Sequence, residues 1–457
     1  MYFEANNNIG MVQQIIFGIV AIVALGYAAR QFLRIRQNIM LGQPEVTAGD
    51  TGQRWKNVFL IAFGQGKMFT RWIAGIMHLF IYVAFLITQV ELIEIFIDGF
   101  GGVHRFFAPR LGGFYTFAIS FIEVISVLAF VGTIVFLSRR NLLKLPRFQS
   151  AEMKGWPFRD GNLILIFEIL LLIGIFSMNG ADTVLQSIDA EHYPDTGNLA
   201  VSSWFGPAVF GNLEAGTLQV IERFGWWLHL IMVFVFLNYL PKSKHLHLIL
   251  AFPNTYYAAL NPRGEMENMP EIMNEVKSMM GLTEGGEEMT TDEELPEFGA
   301  NDILGLSWKT LMAAYTCTEC GRCTAECPAS MTGKKLSPRK IMMDIRDRTE
   351  EVARKIESGN ADFAKDKEKP VSKDNFDDGK SLFDYITKEE IHACTTCNAC
   401  VEACPVLIKP VDPILELRRY EILTLSEGPG DWLPLFNSIE NGGSAWAMSV
   451  ERDAWKN

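Results

Sequence analysis

All eight cysteines of this 457-residue chain fall in two short runs of identical spacing. The first is Cys317, Cys320, Cys323 and Cys327 followed by Pro328; the second is Cys394, Cys397, Cys400 and Cys404 followed by Pro405. Soft thiolates at i, i+3 and i+6 can wrap three corners of an iron–sulfur cubane. The proline after the fourth cysteine turns the chain so that this last sulfur reaches the other cubane. The spacing therefore predicts two [4Fe-4S] clusters. One is expected on Cys317, Cys320, Cys323 and Cys404, the other on Cys394, Cys397, Cys400 and Cys327. Structural zinc is the competing reading, but zinc favours paired CxxC motifs with four ligands per ion over a doubled run ending in proline. With every iron held by cysteine, neither cluster offers a place for substrate, so both read as electron relays. Such sites need reduced thiols, which points to the cytoplasm.

A second set of redox ligands lies upstream. A b-type haem takes one imidazole from each of two facing helices and needs no thioether; the absence of CxxCH excludes a c-type haem. His78 and His229 both lie in long apolar stretches and are the expected pair. His247 comes 18 residues after His229, and Met68 ten residues before His78, so these two are candidate ligands of a second haem. The bland alternatives are a histidine bonded to a neighbouring carbonyl and a methionine that only packs. At 1.5 Å per residue, His78 lies nearer the cytoplasmic face than His229, an offset that helix tilt has to absorb. His245 is a spare ligand, whereas His104, His192 and His392 are not expected to bind metal. Glu168 is the candidate catalytic carboxylate, carrying protons to or from a quinone, with Glu123 behind it. A carboxylate bonded to a neighbouring helix is the alternative for both.

Five apolar stretches must position these groups, at 11–32, 72–96, 115–137, 163–178 and 224–240. About 20 residues cross a hydrocarbon core, so most are long enough and the fourth is short. The first lacks a basic n-region, and its charges (Arg30, Arg34, Arg36) follow the apolar run, so it reads as a retained helix and not as a secretory signal. Lys and Arg crowd the segments between stretches one and two and between three and four, whereas 180–222 has neither. The positive-inside rule then places the N-terminus outside a bacterial inner membrane and everything after Leu240 in the cytoplasm. Apolar residues make up 49% of the chain while its net charge is −12, an acidic balance that argues against a nucleic-acid partner. The expected organisation is mainly α. A five-helix transmembrane cytochrome b-like bundle (1–260) is followed by a linker (261–301) and an α-helical ferredoxin-like domain (302–457). Within the last, 346–381 reads as a helix followed by a solvated, charged insertion without chemistry of its own.

Particular segments carry a family likeness. The exit SKHLHL at 243–248, the approach WK at 308–309, YTCTECGRC at 315–323, ACTTCNAC at 393–400, CPVLI at 404–408 and the tail IENGGSAWAMS at 439–449 resemble membrane iron–sulfur oxidoreductases related to heterodisulfide reductase. In these a cytochrome b like the nitrate reductase gamma subunit is fused to a two-cluster ferredoxin-like domain. The resemblance implies that His247 is a haem ligand, and it puts Met68 where the gamma-subunit pattern supplies histidine. Family members often continue into Cys-Cys-Gly domains. Since this sequence ends at Asn457, the resemblance leads us to expect that module on a separate cytoplasmic iron–sulfur subunit. The leading expectation is an oxidoreductase subunit passing electrons from a cytoplasmic flavoprotein (electron-transfer flavoprotein or a lactate- or glycolate-type dehydrogenase) through the clusters and haem b to menaquinone or ubiquinone. The alternatives are quinol oxidation feeding a heterodisulfide reductase-like partner, and a cofactor-free membrane anchor.

Overall fold

The computed structural model describes residues 7–47, 49–262, 264–266, 268–282, 297–445 and 453–456, and their regular structure is helical. Most of the second half of the expected linker (283–296) and part of the family-like tail (446–449) lie outside the described residues. Six longer helices frame the first half: α1 (Asn7–Ile39), α2 (Trp72–Ile87), α3 (Gln89–Gly101), α4 (Gly113–Asn141), α5 (Trp156–Ile188) and α6 (Ala215–Tyr239). They make five segments long and apolar enough to cross a membrane, because α2 and α3 form one span interrupted at Thr88. There the Thr88 hydroxyl and the Gln89 side-chain amide both donate back to the Phe85 carbonyl, at 3.3 and 2.8 Å. Side-chain bonds of this kind compete with the helical ladder and bend it. The bundle turns apolar side chains outward: Ile22 is 71% exposed, Phe117 67% and Val220 68%. That surface suits lipid and would be a liability in water. The chain is a multi-pass membrane protein with five candidate spans.

Without a hydrophobic force between helices in lipid, small residues bring backbones together. A Cβ on Gly174 would stand 2.9 Å from the His229 nitrogen, and one on Gly225 2.6 Å from the Met178 nitrogen. These two glycines let α5 and α6 touch along their middles. Gly132 does the same for α4 against α2, where a Cβ would lie 2.9 Å from the Met77 carbonyl oxygen.

The fourth span departs from the sequence expectation. Its apolar run stops at Met178, yet α5 continues to Ile188. The polar residues beyond Met178 are buried and satisfied by other segments, which hydropathy along one segment does not register. The Arg105 guanidinium, 3% exposed, donates to Asn179 (2.6 Å), Asp182 (3.2 Å) and the Tyr115 hydroxyl (3.3 Å). Tyr115 donates to Glu94 at 2.7 Å, and Asn179 to Glu91 at 3.4 Å. Part of the expected 180–222 loop is therefore helical, including a short helix Ser202–Phe210 whose first amides Glu123 accepts (Val201 at 2.8 Å, Ser202 at 3.1 Å).

After α6 the chain leaves through two tight turns, Leu240–Lys242 and Lys244–Leu246, into α7 (His247–Tyr256). The cysteine-bearing half contains α8 (Trp308–Thr316), α9 (Pro338–Ser358), α10 (Val411–Arg419) and α11 (Trp432–Gly442). Its core gathers Ile303, Leu311, Ile341, Ile345, Leu382, Ile391 and Leu417, all fully or almost fully buried. Helix α9 begins at Ser337, whose hydroxyl accepts the Lys340 amide, has Pro338 at its first position and stops at Gly359 in the left-handed region. The insertion after it is not simply solvated. Buried Arg348 grips Asp302 (2.6 Å) and Asp378 (2.7 Å), and Lys355 also reaches Asp378 (2.7 Å). Those bonds strap the insertion to α9, a long-range charge pairing that composition alone reads as solvation.

Replacing Gly225 with valine should disrupt the α5–α6 contact and cost about 1–3 kcal/mol. Gly113→Ala, where a Cβ meets open space, should not. Thermal unfolding in detergent separates the two.

Candidate functional site

The two cysteine runs share one backbone device. Glu319 and Thr396, each two residues after the first cysteine of its run, have φ of 52° and 54°; Gly321 and Asn398, each following the second cysteine, have φ of 69° and 59°. Left-handed backbone is costly for residues other than glycine, and asparagine tolerates it best. The repeated turn folds each loop around its sulfurs, and the Thr396 amide points at the Cys394 Sγ at 3.4 Å. Cys317, Cys320, Cys323 and Cys404 lie within electrostatic reach of one another, and so do Cys394, Cys397, Cys400 and Cys327. Burial, with neighbouring thiols adding to it, pushes Cys317 and Cys400 up to about 12, so these thiols surrender their protons to metal and not to neutral water.

The first run faces the membrane helices. Its Arg322 donates to the Lys67 carbonyl at 2.9 Å, just ahead of α2, and Arg339 on α9 donates to the Arg147 carbonyl at 2.6 Å. Asn254 on α7 donates to the Val406 carbonyl at 2.7 Å, and Asn38 on α1 to the Tyr315 hydroxyl at 3.0 Å. The central contact is buried. Lys244, in the turn after α6, holds Glu319 at 2.5 Å, and Arg346 holds the other Glu319 oxygen at 2.8 Å. Burial raises the Glu319 carboxyl, but Lys244 and Arg346 outweigh it and hold it below the usual range.

Between the helices and the first run lies an apolar cavity of about 290 Å³, with an adjoining lobe of about 220 Å³. Both lobes are lined by His78, His245, His247, Glu168, Arg147 and Cys320. The His78 and His247 rings face each other with centres 6.4 Å apart, and His245 stacks on His247 at 5.2 Å. The Nδ1 of His247 bonds the Lys244 carbonyl at 3.0 Å, leaving its Nε2 for other use. The Nδ1 atoms of His78 and His245 are buried without a hydrogen-bond partner. Burial lowers both His245 and His247, so each is a neutral imidazole with a lone pair to offer.

His78 faces His247, not His229. His229 does not line the cavity, and its Nδ1 bonds the Leu171 carbonyl at 3.0 Å where α5 and α6 touch at Gly174. Met68 does reach the cavity, but its sulfur lies 3.6 Å from Arg322 and the ring opposite His247 belongs to His78. His104 bonds Asp182, His192 bonds Asp189, and His392 bonds Glu421. Glu168 opens on the cavity, whereas Glu123 caps the short helix. Sequence reasoning missed Arg147 and the Lys244–Glu319 pair. A basic residue among many gives no local signal, although a glutamate inside a CxxC turn was a visible oddity.

Comparison with known proteins agrees with this organisation. Residues 316–408 match the 4Fe-4S dicluster domain family. The chain is 28% identical over 442 residues to the "Probable iron-sulfur-binding oxidoreductase FadF" of Bacillus subtilis, covering 92% of this chain and 57% of that protein. It is 24% identical over 429 residues to the "EtfAB:quinone oxidoreductase" of Syntrophomonas wolfei, covering 91% and 56%. Over 171 residues it is 32% identical to a "Probable membrane-anchored ferredoxin" of Chromohalobacter salexigens, covering 35% and 24%. The chain spans little more than half the length of the first two relatives. No solved structure matches it. Five long apolar helices thus precede a dicluster domain whose eight cysteines serve two [4Fe-4S] clusters.

Lys244→Met leaves Glu319 buried beside Arg346 alone, and breaking a buried pair in this way costs about 3–5 kcal/mol. Lys335→Ala, which removes a surface pair with Glu389, should cost at most about 1 kcal/mol. Thermal unfolding, with limited proteolysis of the segment after α7, should show the first variant loosened and the second unchanged.

Proposed function

We propose that this protein is a quinone-linked electron-transfer subunit. It passes electrons from a flavoprotein of the electron-transfer type, through its two clusters and a b-type haem held by His78 and His247, to membrane quinone. One observation carries the reading: an imidazole pair at ligand spacing and a cysteine of the first run line the same cavity. A metal-bound imidazole nitrogen sits about 2 Å from its ion, so two rings on opposite sides of one iron have centres about 6 Å apart. The 6.4 Å between His78 and His247 fits that requirement. The bond from His247 to the Lys244 carbonyl is the outer partner that fixes a ligating ring. The clusters and haem would supply one-electron chemistry.

Around that chemistry, the residues have separable roles. Cys317, Cys320, Cys323 and Cys404 would hold the membrane-facing cluster, and Cys394, Cys397, Cys400 and Cys327 the outer one. Glu168, the carboxyl of α5 that opens on the cavity, would move protons for the quinone. His245 shields the open side of His247, and His229 bridges helices. The lysines and arginines between α1 and α2 and between α4 and α5 put the dicluster domain on the cytoplasmic side. The flavoprotein donor is the one suggested by the printed name of the second relative.

In reduced-minus-oxidised spectra the purified protein should show a haem b α-band. His78→Ala and His247→Ala should each abolish it and His229→Ala should keep it; the opposite pattern would sink the assignment. Given reduced electron-transfer flavoprotein, membranes carrying the protein should reduce a quinone analogue. Glu168→Gln should slow that rate on the order of 10²-fold with the α-band intact, as loss of a proton-transfer group does.

A further inference from the structure

Arg147 sits in the connection between α4 and α5, and its surroundings lack something. Its backbone is fixed, because the carbonyl accepts Arg339 at 2.6 Å. Its side chain leaves that anchor, lies against the Phe148 ring with the guanidinium carbon 4.9 Å from the centroid, and lines both lobes of the cavity. There its Nε and Nη1 are buried with no hydrogen-bond partner. Arg147 as a whole is half-buried, but these two nitrogens have left water and found no acceptor, which is costly for N–H donors of a cation.

The neighbours do not cure this deficit. Arg71, Arg139 and Arg322 are close enough to act on it electrostatically, and all three repel it; the Cys320 thiol is the favourable neighbour. Two carboxylates line the cavity. Glu319 is committed to Lys244 and Arg346, and Glu168 makes no ion pair with Arg147. The cavity thus combines apolar walls, a facing imidazole pair and, at one corner, a guanidinium with two buried nitrogens that lack acceptors.

We propose that Arg147 is the anion anchor of this cavity, and that it binds the propionate carboxylates on the rim of the haem that His78 and His247 bracket. The inference rests on the haem assignment above. A quinone carbonyl is a neutral acceptor and would leave the guanidinium charge unanswered. A carboxylate matches the planar donor set of arginine in both geometry and charge. Because Arg147 stands beside Cys320, it holds the carboxylate edge of the macrocycle toward the first cysteine run.

The test uses the full chain purified in detergent, as wild type, Arg147→Gln and Arg147→Lys. Removing a cation beside the haem disfavours the reduced state, so the glutamine variant should retain an α-band with the haem midpoint moved to lower potential. Its propionate-bending resonance Raman lines should shift as well. Arg147→Lys, which keeps the charge, should recover most of the midpoint but not the Raman lines. A glutamine variant with wild-type midpoint and Raman lines overturns the proposal, all the more so if its KM for a quinone analogue rises, which would give Arg147 to the quinone. A wild-type protein without any haem b band is a different failure: it removes the haem assignment and this inference together.

Discussion

The site depends on one buried lysine. Lys244 follows the last span by two residues, and its two ends do separate work. Its carbonyl takes the Nδ1 of His247 at 3.0 Å, while its ammonium reaches 2.5 Å to Glu319 inside the first cysteine run. One residue therefore sets both the imidazole ring and the loop around Cys317 and Cys320. A charge in that position is expensive unless every donor is used. Asp160 at the start of α5 accepts the Lys244 amide and the Ser243 hydroxyl, the Pro157 carbonyl accepts the ammonium, and Arg346 completes Glu319. The cavity is what remains between helices and cysteine loop once this network has fixed their separation.

This dependence explains which parts were legible in the sequence. The cysteine runs were, because a cubane ligand set is mostly local: three sulfurs within seven residues fix a loop geometry before tertiary structure matters. The spans were legible as existing helices but not in extent. The fourth was read as 163–178 and runs Trp156–Ile188, because Asn179 and Asp182 are satisfied by Arg105 from another segment. The histidine pairing depends on the relative depth of α2 and the turn after α6. The chain ahead of α2 contains a π-helical turn, Val58–Phe63, and a short turn, Phe69–Arg71, so the depth of His78 does not follow from counting residues.

The two ends of the bundle use buried charge in opposite ways. At the end remote from the cysteines, Glu91, Glu94 and Asp182 surround Arg105, with Asn179 and Tyr115 sharing its protons. Around Arg105 the charged donors find acceptors, which suits a rigid seal, and the unpartnered atom near that end is the neutral Ser203 hydroxyl. At the cysteine end, His78, His245 and Arg147 keep buried nitrogens without partners. Folding tolerates such atoms poorly unless another interaction rewards them, so the contrast within one bundle separates scaffold from site. The glycines that press α5 onto α6 belong to the first category and His229 sits among them, which is why its ring bridges helices and does not face the cavity.

The same reasoning separates the two cysteine runs, although their backbones are near copies. Both have a left-handed residue two positions after their first cysteine, at Glu319 and Thr396. A non-glycine residue in that conformation carries strain, and the identity of its side chain shows what the strain serves. In the first run it is a glutamate driven into the interface, 2% exposed and held from both sides. In the second it is a half-buried threonine whose amide attends only to Cys394, and the neighbouring Cys397 is exposed. The first loop is thus committed inward by a buried carboxylate, whereas the second meets the membrane half only through its far end, where Lys67 reaches Val401 and Asn254 reaches Val406, and leaves Cys397 exposed. On the proposed path, the exposed Cys397 would leave the outer cluster open to a donor while the buried Glu319 holds the first run against the cavity.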